Sequence, residues 1–279
     1  MISVLILTKN EEQNLPGCLE SVAWSDDIHI YDAYSTDKTV EIAEAAGAKI
    51  ARKSAYAQDK LFGGNEAEYR NWGLRTIPFK YPWVIQLDAD ERVTPELHAN
   101  IELALKVAGN YVAYRIQRRD FFCGTWLKHV QVTPYYVRLF RPEKMRYERL
   151  VNPVSIPDGP VGEVKGYLDH FPFSKGGISY WFDRHNAYSS LEAQQILNNR
   201  SNNERFSLRK AFFESDFHKK RYHQKELFYR LPARPLIKFM LLYFLKRGFL
   251  DGRAGFTYSV LQSIYEYMIV LKSREMDVK

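Results

Sequence analysis

The chain has 279 residues, of which 46% are hydrophobic and 15% aromatic, and its formal net charge is +7. This length suits one large domain or a domain with an appendage, and the apolar content excludes a disordered chain. The two cysteines, Cys18 and Cys123, lie far apart and predict neither a metal-ligand spacing nor a disulfide framework. We therefore expect a globular protein of a reducing cytosol.

The sequence predicts neither a signal peptide nor a membrane span. The N-terminus lacks a basic region, and no stretch reaches the ~18–20 apolar residues that a span requires. The positive charge, concentrated between Arg205 and Arg247, favours anionic partners such as nucleotides or phospholipid surfaces. Because no helix-turn-helix, RNP or zinc pattern is present, we expect no nucleic-acid partner.

The first hundred residues alternate between the period of strands and the period of helices. The predicted strands lie at 2–7, 28–31, 49–51 and 81–88. The predicted helices lie at 10–22, 36–46, 66–76 and 94–109. Asn10 and Thr94 are expected to cap the first and last of these helices, and Gly47 to end the second. This alternation indicates an α/β fold with a parallel, doubly wound sheet.

The rest of the chain changes character twice. Residues 111–116, 135–140 and 152–166 are read as strands and loops that extend the sheet, and 52–65 as a loop. Helical patterns dominate from Ser179 onward. We place a soft boundary near residue 175, which gives a sheet domain over 1–175 and a basic, amphipathic helical extension over 176–279.

Two carboxylates follow the most apolar of the predicted strands. Asp88 and Asp90 flank Ala89, and residues two apart in an extended chain face the same side. In open α/β sheets, ligands bind outside the carboxyl ends of the strands. Two hard oxygen anions at this position suit Mg²⁺ or Mn²⁺. The alternative is an ordinary acidic turn, because this spacing is common by chance.

Three predicted strand ends carry polar motifs: Thr8-Lys9-Asn10-Glu11, Asp32-Ala33-Tyr34-Ser35-Thr36-Asp37 and Asp88-Ala89-Asp90. Together they resemble the nucleotide-diphosphate-sugar-dependent glycosyltransferases of family 2, which have the GT-A fold, a doubly wound and mostly parallel sheet. Four further segments resemble the branch that contains lipopolysaccharide-core β-1,4-glucosyltransferases and exopolysaccharide enzymes: 70–74, 138–141, 158–162 and 248–252.

The resemblance implies a reaction and a place for it. An inverting enzyme would move a hexose from a UDP-sugar to a growing bacterial surface glycan, carried on lipid, with Mg²⁺ or Mn²⁺ as cofactor. Such a protein is expected to be cytoplasmic and to work peripherally on the cytoplasmic face of the inner membrane. The basic C-terminal helices would meet anionic lipid. Alternatively, their aromatic residues cover the catalytic domain or form a dimer contact.

The resemblance also implies roles for individual residues. Donor binding is expected from Thr8, Asn10, Glu11, Asp32, Arg70, Asn71, Asp88 and Ala89. Metal binding is expected from Asp88, Asp90 and His170. Trp126, Lys128 and His129 resemble an acceptor-side loop. The alternatives are a turn carboxylate for Asp32, a solvated charge for Arg70, a packed core residue for His170 and a plain hairpin for the acceptor-side loop.

The chain departs from the family pattern at two points. Ala33 replaces a serine, and Val151-Asn152-Pro153 stands where relatives carry a Val-His-Glu stretch that supplies the catalytic base. The role of base must then pass to another carboxylate, Glu148 or Asp120, although either can be an ordinary exposed acid. The alternatives to an active transferase are a catalytically impaired nucleotide-sugar-binding scaffold of the same fold and a sugar-phosphate nucleotidyltransferase. The nucleotidyltransferase would need a glycine-rich loop after the first strand.

Overall fold

A computed structural model describes residues 1–53, 65–131, 135–148, 153–172, 176–201, 206–215 and 217–277. Most of the predicted loop over 52–65, together with Asn152, lies outside the described residues. The chain divides into two compact units, of which the first comprises residues 1–121 and 133–175. The second comprises residues 122–132 and 176–279. A single boundary near residue 175 does not account for the segment 122–132, which groups with the helical unit.

Eleven strands are present in the described part of the chain. In chain order they are β1 Ser3–Thr8, β2 Ile28–Asp32, β3 Lys49–Ala51, β4 Val84–Asp88, β5 Glu91–Val93, β6 Ala113–Phe122, β7 Thr125–Trp126, β8 Tyr135–Phe140, β9 Met145–Glu148, β10 Val154–Pro157 and β11 Val161–His170. The helices of the first unit are α1 Leu15–Ser21, α2 Thr39–Ala45, α3 Glu66–Thr76 and α4 Pro95–Lys106. The α/β alternation expected from the sequence is therefore present.

The main sheet has the order β3-β2-β1-β4-β8-β6-β11-β5. Strands β3, β2, β1 and β4 are parallel, β8 runs antiparallel between β4 and β6, and β11 pairs parallel with β6. Thr8 pairs with Asp32 and Leu7 with Asp88, so the carboxyl ends of β1, β2 and β4 meet at one edge. The predicted doubly wound, mostly parallel sheet is confirmed.

Strand β1 is buried on both faces, which explains why its sequence is a continuous apolar run. Val4 and Ile6 join one core cluster, which includes residues of α1 and α4. Leu5 and Leu7 join the other cluster, which includes residues of α3. Helices thus cover both faces of the sheet and leave the ends of its strands for polar residues.

Two of the three predicted helix signals are confirmed. Thr94 Oγ1 accepts a hydrogen bond from Leu97 N at 3.2 Å, and Gly47 follows α2 with φ +73°. The prediction for Asn10 is wrong, because α1 begins at Leu15 with Asn14 as its N-cap residue. Asn10 has φ +55°, and its Oδ1 accepts from Thr36 N at 2.8 Å. A tertiary contact with the β2–α2 loop thus uses the side chain that local sequence assigned to a cap.

The second unit is helical, as predicted. Its helices are α5 Gly177–Ser201, α6 Leu208–Phe213, α7 Phe217–Tyr229, α8 Arg234–Met240 and α9 Gly252–Asp277, with a π-helical turn Leu241–Leu245 and a 3-10 turn Gly248–Asp251 before α9. The long α9 packs against α5 and α8. Among the residues described, no helix combines the length and the apolarity needed to cross a membrane.

Candidate functional site

The polar motifs that follow β1 and β2 are held together by hydrogen bonds. Lys9 Nζ donates to the carbonyl oxygens of Ala33 and Tyr34 at 2.7 and 2.8 Å. Asn10 N donates to Ser35 Oγ at 2.8 Å, in addition to the bond that Asn10 accepts from Thr36. These bonds fix two loops side by side at the carboxyl edge of the sheet, where the sequence places donor-binding residues.

Glu11 takes part in the same network through its backbone and its side chain. Its N–H donates to Thr39 Oγ1 at 2.7 Å, and its Oε2 accepts from Asn14 Nδ2 at 2.8 Å. The side chain of Glu11 thus lies at the start of α1. The motif after β1 and the motif after β2 are therefore joined by hydrogen bonds, and they are not two independent turns.

Asp32 is fully buried beneath these loops, and its carboxylate is well supplied with donors. Thr8 Oγ1 donates at 3.1 Å, Ser35 donates from both N and Oγ, and Arg52 Nε donates at 2.9 Å. Arg52 is more accessible than the carboxylate that it pairs with, since 38% of its side-chain surface is exposed whereas the Asp32 side chain is fully buried. The structure thus places Asp32 in the predicted region as the centre of an internal network.

The carboxylate of Asp88 is paired with an arginine from β8. Arg138 Nη2 donates to Asp88 Oδ2 at 2.8 Å and to Glu91 Oε1 at 2.6 Å. Glu91 is fully buried, and its Oε2 accepts from Asp88 N at 2.9 Å. The carboxylate of Glu91 therefore binds both the backbone N–H of Asp88 and the guanidinium of Arg138, which neutralises the Asp88 side chain.

The charges of this cluster shift one another in the expected directions. Burial alone would raise the pKa of Asp88, but Arg138 and Arg70 outweigh it and hold that pKa well below its usual range. Burial raises the pKa of Glu91, and the negative charge of Asp88 adds to the effect. Burial opposes the charge of Arg138, yet Glu91 and Asp88 raise its pKa.

A second row of groups runs from Asp90 through His170 to Asp120. Asp90 Oδ2 lies 3.3 Å from His170 Nε2, and His170 Nδ1 lies 2.5 Å from Asp120 Oδ1. Burial would lower the pKa of His170, but Asp120 and Asp90 outweigh it and raise the pKa to about 9. The motif after β4 and the last residue of β11 therefore meet at one place, as the sequence predicts for Asp90 and His170.

Part of this row suits a divalent cation. No set of three or more His, Cys, Asp and Glu within the described ranges comes together to hold a metal ion. However, the 3.3 Å between Asp90 Oδ2 and His170 Nε2 is close to the separation of about 3 Å between adjacent octahedral ligands. A carboxylate on the other ring nitrogen, as Asp120 supplies, is the usual partner of a metal-binding histidine. Asp90 and His170 thus fit as two ligands, whereas Asp88 is used by Arg138.

Arg70 and Asn71 lie on α3 and contact different groups. Arg70 Nη2 donates to Glu66 Oε1 at 2.8 Å, and its guanidinium lies over the ring of Tyr147. Burial opposes the charge of Arg70, but Asp88 and then Tyr147 and Glu66 raise its pKa. Asn71 Nδ2 donates to Tyr147 O, and its Oδ1 accepts from Tyr147 N. The amide of Asn71 thus joins α3 to β9, and Arg70 is the cation that faces Asp88.

The two candidate bases lie in different surroundings. Asp120 is 2% exposed, and Arg118 Nε also lies 3.0 Å from its Oδ1. The buried carboxylate of Asp120 is occupied by His170 and Arg118, and it is therefore not accessible to an acceptor hydroxyl. Glu148 is 55% exposed on β9 and pairs with Arg146 at 3.1 Å. Pro153 is described, but Asn152 and the three residues before it are not.

The acceptor-side residues belong to the second unit. Lys128 Nζ lies 5.6 Å from the centre of the Trp126 ring, a cation–π arrangement. His129 contacts Asp251 through its backbone N–H and through Nδ1, which is 2.6 Å from Asp251 Oδ1. Trp126 and Lys128 remain partly accessible to solvent. His129 joins its segment to the turn before α9 through its contacts with Asp251.

Sequence reasoning did not single out Glu91, Arg118 and Arg138 as members of the site. Arg138 is a charged residue within the apolar strand β8, and Glu91 directly follows the Asp88-Ala89-Asp90 motif. A charge in an otherwise apolar run marks a buried ion pair, because unpaired charges are rarely buried. The charge of Arg138 within an apolar strand therefore indicates a buried ion pair. It does not identify the acids that pair with Arg138, because these depend on how the strands pair.

Comparison with known proteins identifies relatives along the whole chain. The sequence model of glycosyl transferase family 2 matches residues 3–169. An uncharacterized glycosyltransferase of Rickettsia typhi is 26% identical over 287 residues, which cover 100% of this chain and 88% of the relative. The lipopolysaccharide core biosynthesis glycosyltransferase LpsC of Rhizobium meliloti is 27% identical over 279 residues, which cover 97% of this chain and 91% of the relative.

Two solved structures are among those to which this chain is similar. S. aureus TarS has a TM-score of 0.43 and 14% identity, over 93% of this chain and 54% of that chain. Glucosyl-3-phosphoglycerate synthase from Mycobacterium tuberculosis, in complex with Mn²⁺, UDP and glucosyl-3-phosphoglycerate, has a TM-score of 0.34 and 20% identity over 44% of each chain. The chain thus spans about half the length of these two structures.

The family match covers nearly the whole sheet unit. It begins at the first residue of β1 and ends at Asp169, one residue before the end of β11. The strand ends that carry Thr8, Asp32, Asp88 and Asp90 all lie within it. The chain belongs to glycosyl transferase family 2 and is a glycosyltransferase with a GT-A type fold.

Proposed function

We propose that this glycosyltransferase moves a hexose, with inversion, from a UDP-sugar to a bacterial surface glycan acceptor that is attached to lipid. The row Asp90–His170–Asp120, beside the Asp88–Arg138 pair at the carboxyl edge of the sheet, carries the proposal. It combines a possible cation site with fixed positive charge, as transfer from a nucleoside diphosphate requires. The similarity to LpsC, a lipopolysaccharide core biosynthesis glycosyltransferase, supports the class of acceptor.

Each group at the edge has a proposed task. Asp90 and His170 would hold Mg²⁺ or Mn²⁺, and Asp120 keeps the His170 ring oriented through Nδ1. When bound, the cation supplies Lewis-acid stabilisation of the leaving diphosphate. Arg70 lies on the neighbouring helix and offers a guanidinium suited to phosphate oxygens. The other residues proposed to bind the donor lie beside these groups, at the ends of β1 and β2, in the loops after β1 and β4, and on α3. They are Thr8, Asn10, Glu11, Asp32, Asn71 and Ala89.

The reaction also needs a carboxylate that removes the proton of the acceptor hydroxyl. We assign this role to Glu148 rather than Asp120, because the carboxylate of Glu148 is open to solvent while that of Asp120 is occupied by His170 and Arg118. Trp126 and Lys128 are proposed to contact the acceptor. An indole ring can stack on a sugar face, and the ammonium group can meet an acceptor phosphate.

We place this reaction in the cytoplasm, at the cytoplasmic face of the inner membrane, where nucleotide sugars and lipid-linked acceptors meet. The charge of +7 supports peripheral attachment to an anionic surface. A comparison of soluble and membrane fractions of cells that produce the intact chain tests this placement. Recovery in the soluble fraction alone, at low salt, would contradict it.

The donor and metal assignments can be tested with purified protein. Incubation with Mn²⁺ and a panel of nucleotide sugars should give slow hydrolysis of one UDP-sugar, measured as released UDP. Asp90→Asn should lower that rate by about 100-fold or more with an unchanged unfolding midpoint, because it weakens a ligand of the cation. Asp158→Asn, at an exposed acid paired with Lys144, is the control. Hydrolysis near the wild-type rate in Asp90→Asn contradicts the assignment.

A catalytically impaired scaffold of the same fold is the second candidate function. Pro153 favours it, because proline stands where relatives carry the catalytic base. This candidate predicts that UDP binds with ordinary affinity, while no donor of the panel is transferred or hydrolysed. Calorimetry with UDP and the hydrolysis assay, made on the same preparation, separate the two functions.

A further inference from the structure

The second unit carries a group of large apolar side chains that are about half exposed or more. Seven of them lie between residues 236 and 256, and each has 47 to 77% of its surface exposed. They are Leu236, Met240, Phe244, Leu245, Phe249, Leu250 and Phe256. We call this set, together with the cations among it, the 236–256 surface. Phe244, Phe249 and Phe256 all contact the ring of Tyr243, so these side chains are contiguous, and contiguous exposed apolar patches mark binding surfaces.

Basic residues lie among these apolar side chains. They are Lys238, Lys246, Arg247 and Arg253. In the described part of the chain, no carboxylate forms an ion pair with any of the four, and Lys238 contacts the ring of Phe228. Asp251 is the one acidic residue of the segment, and it is buried. The 236–256 surface is therefore both apolar and cationic, with no exposed acid.

The charges of the surface act on each other. Burial lowers the pKa of Lys246, and the nearby positive charge of Lys238 lowers it further. Lys238 also interacts with the buried carboxylate of Glu266, whereas among the described residues no acid offsets the repulsion at Lys246. This electrostatic observation agrees with the exposure of the apolar side chains beside them.

The turn that presents Phe249 and Leu250 is rigidly built. Asp251 accepts hydrogen bonds from His129 N at 3.0 Å and from Val130 N at 2.8 Å. Gly248 allows close contact, because a Cβ atom there would lie 2.8 Å from Leu242 O. The exposure of the two apolar side chains therefore follows from a fixed backbone and does not reflect a loose segment.

We propose that the 236–256 surface binds the headgroup region of an anionic lipid bilayer. Its apolar side chains would enter the boundary between headgroups and acyl chains, and its cations would contact lipid phosphates. Charge complementarity favours a bilayer over a second copy of this chain, which would bring four cations against four. The proposal does not depend on which sugar is transferred, nor on whether the active site turns over.

Flotation of the full-length protein with lipid vesicles tests the proposal. We expect binding to vesicles that contain phosphatidylglycerol and little binding to pure phosphatidylcholine. Binding should weaken as salt rises, because surface charges are screened over ~10 Å at 0.1 M salt. The double variant Phe249→Ser/Leu250→Ser should bind at least about tenfold more weakly. Arg247→Gln and Arg253→Gln should each cost roughly fivefold.

A matched control removes two exposed apolar side chains elsewhere. Leu103 and Val107, on and just after α4, are 58 and 78% exposed, and Leu103→Ser/Val107→Ser should bind vesicles like the wild type. The rate of donor hydrolysis in solution should stay unchanged in all these variants, and each should still unfold in one cooperative transition, which separates lipid binding from catalysis and from misfolding. Undiminished flotation of Phe249→Ser/Leu250→Ser overturns the proposal. So does dimerisation through this surface, seen by light scattering, without vesicle binding.

Discussion

Glu91 shows how one buried side chain can organise several charges. Its carboxylate accepts from Asp88 N with one oxygen and from Arg138 Nη2 with the other. The first bond fixes the backbone at the start of the Asp88-Ala89-Asp90 turn, and the second holds the cation that neutralises Asp88. An unpaired buried charge is costly, so the cluster is stable only when all three groups are present.

Replacement of Glu91 by glutamine should therefore destabilise the protein. Glu91→Gln presents a neutral amide to Arg138 and leaves the guanidinium with Asp88 as its remaining close anion. We expect the free energy of unfolding to fall by about 3 kcal/mol. Urea unfolding followed by circular dichroism measures the change. Glu44→Gln, at an exposed position of α2, should behave like the wild type, and an equal loss in both variants would refute this account.

Asp120 is expected to act on the cation through His170. It would do so by fixing the ring with Nε2 facing Asp90, so its replacement should weaken metal binding without removing a ligand. For Asp120→Asn we expect the affinity for Mn²⁺ in the presence of UDP to fall by about 10- to 100-fold. Electron paramagnetic resonance of free Mn²⁺ gives the affinity, with Asp158→Asn as the control. Unchanged affinity would mean that His170 is not a ligand or that Asp120 does not orient it.

The residues of the site could be predicted in part. Asp90 and His170, which only the family resemblance had linked, lie together because β11 pairs antiparallel with β5 and places His170 opposite Glu91. Glu91 and Arg138 were not identified as partners, since Arg138 lies 47 positions further along the chain. Their contact depends on β8 pairing antiparallel with β4, which no local pattern in the sequence specifies.

At the scale of elements, long apolar runs predicted strands well, and short charged segments did not. Strand β4 ends where the sequence indicated, and helix α3 has the predicted bounds, Glu66–Thr76. Strand β5, Glu91–Val93, was missed because it has three residues, two of them charged. The cap at Asn10 was wrong for another reason: Asn14 and Asn10 are equally good caps by type, and only tertiary contacts decide between them.

The turn before α9 depends on a single carboxylate. Asp251 is 7% exposed and accepts from His129 N and Val130 N, and it also contacts His129 Nδ1. Asp251→Ala leaves two buried N–H groups without their partner, and each such group costs about 1–3 kcal/mol. We therefore expect a loss of about 3 kcal/mol in the free energy of unfolding.

Thermal and urea unfolding, compared with Asp183→Ala at an exposed position of α5, measure the role of Asp251. The aromatic signal in near-ultraviolet circular dichroism should also change in Asp251→Ala, because Tyr243 contacts Phe249 in the turn that loses its anchor. Stability equal to that of the control would show that the turn is held by its apolar contacts alone.

Across the whole sheet, the polar carboxyl edge has a counterpart at the opposite ends of the strands. Asp27, fully buried before β2, joins segments from four strands. It accepts from Ser3 Oγ of β1, from Lys49 Nζ of β3 at 2.7 Å and from Lys80 N before β4 at 2.8 Å. It also lies 3.0 Å from His29 Nε2 of β2. One carboxylate thus ties together the amino ends of the four parallel strands.

Loss of this carboxylate should weaken the whole unit. In Asp27→Asn the amide keeps one accepting oxygen but turns a donor toward groups that are themselves donors. We expect the free energy of unfolding at pH 7 to fall by about 3 kcal/mol, measured by urea denaturation. The neighbouring Asp26 is 50% exposed and pairs with Lys80 at the surface, so Asp26→Asn should change stability little. A similar loss in both variants would assign the effect to net charge.

The contribution of Asp27 should also depend on pH. Burial alone would raise the pKa of Asp27, but hydrogen bonds from Lys49, Ser3 and Lys80 outweigh it and hold that pKa well below its usual range. A depressed pKa in the folded state gives stability that is complete above the unfolded value of about 3.9 and is lost as pH falls below it. Burial lowers the pKa of His29 and the nearby Asp27 charge partly offsets this, so protonation of His29 below about pH 6.5 opposes folding more strongly in Asp27→Asn than in the wild type.

The difference between the two stability curves therefore combines the charge of Asp27 with its effect on His29. Urea midpoints measured from pH 7 to pH 2.5 should differ at least as much at pH 5 as at pH 7 and should then converge as the pH falls further, because the wild type alone loses the ionised carboxylate. Curves that stay parallel to the lowest pH would show that Asp27 stabilises the sheet by packing rather than by its charge.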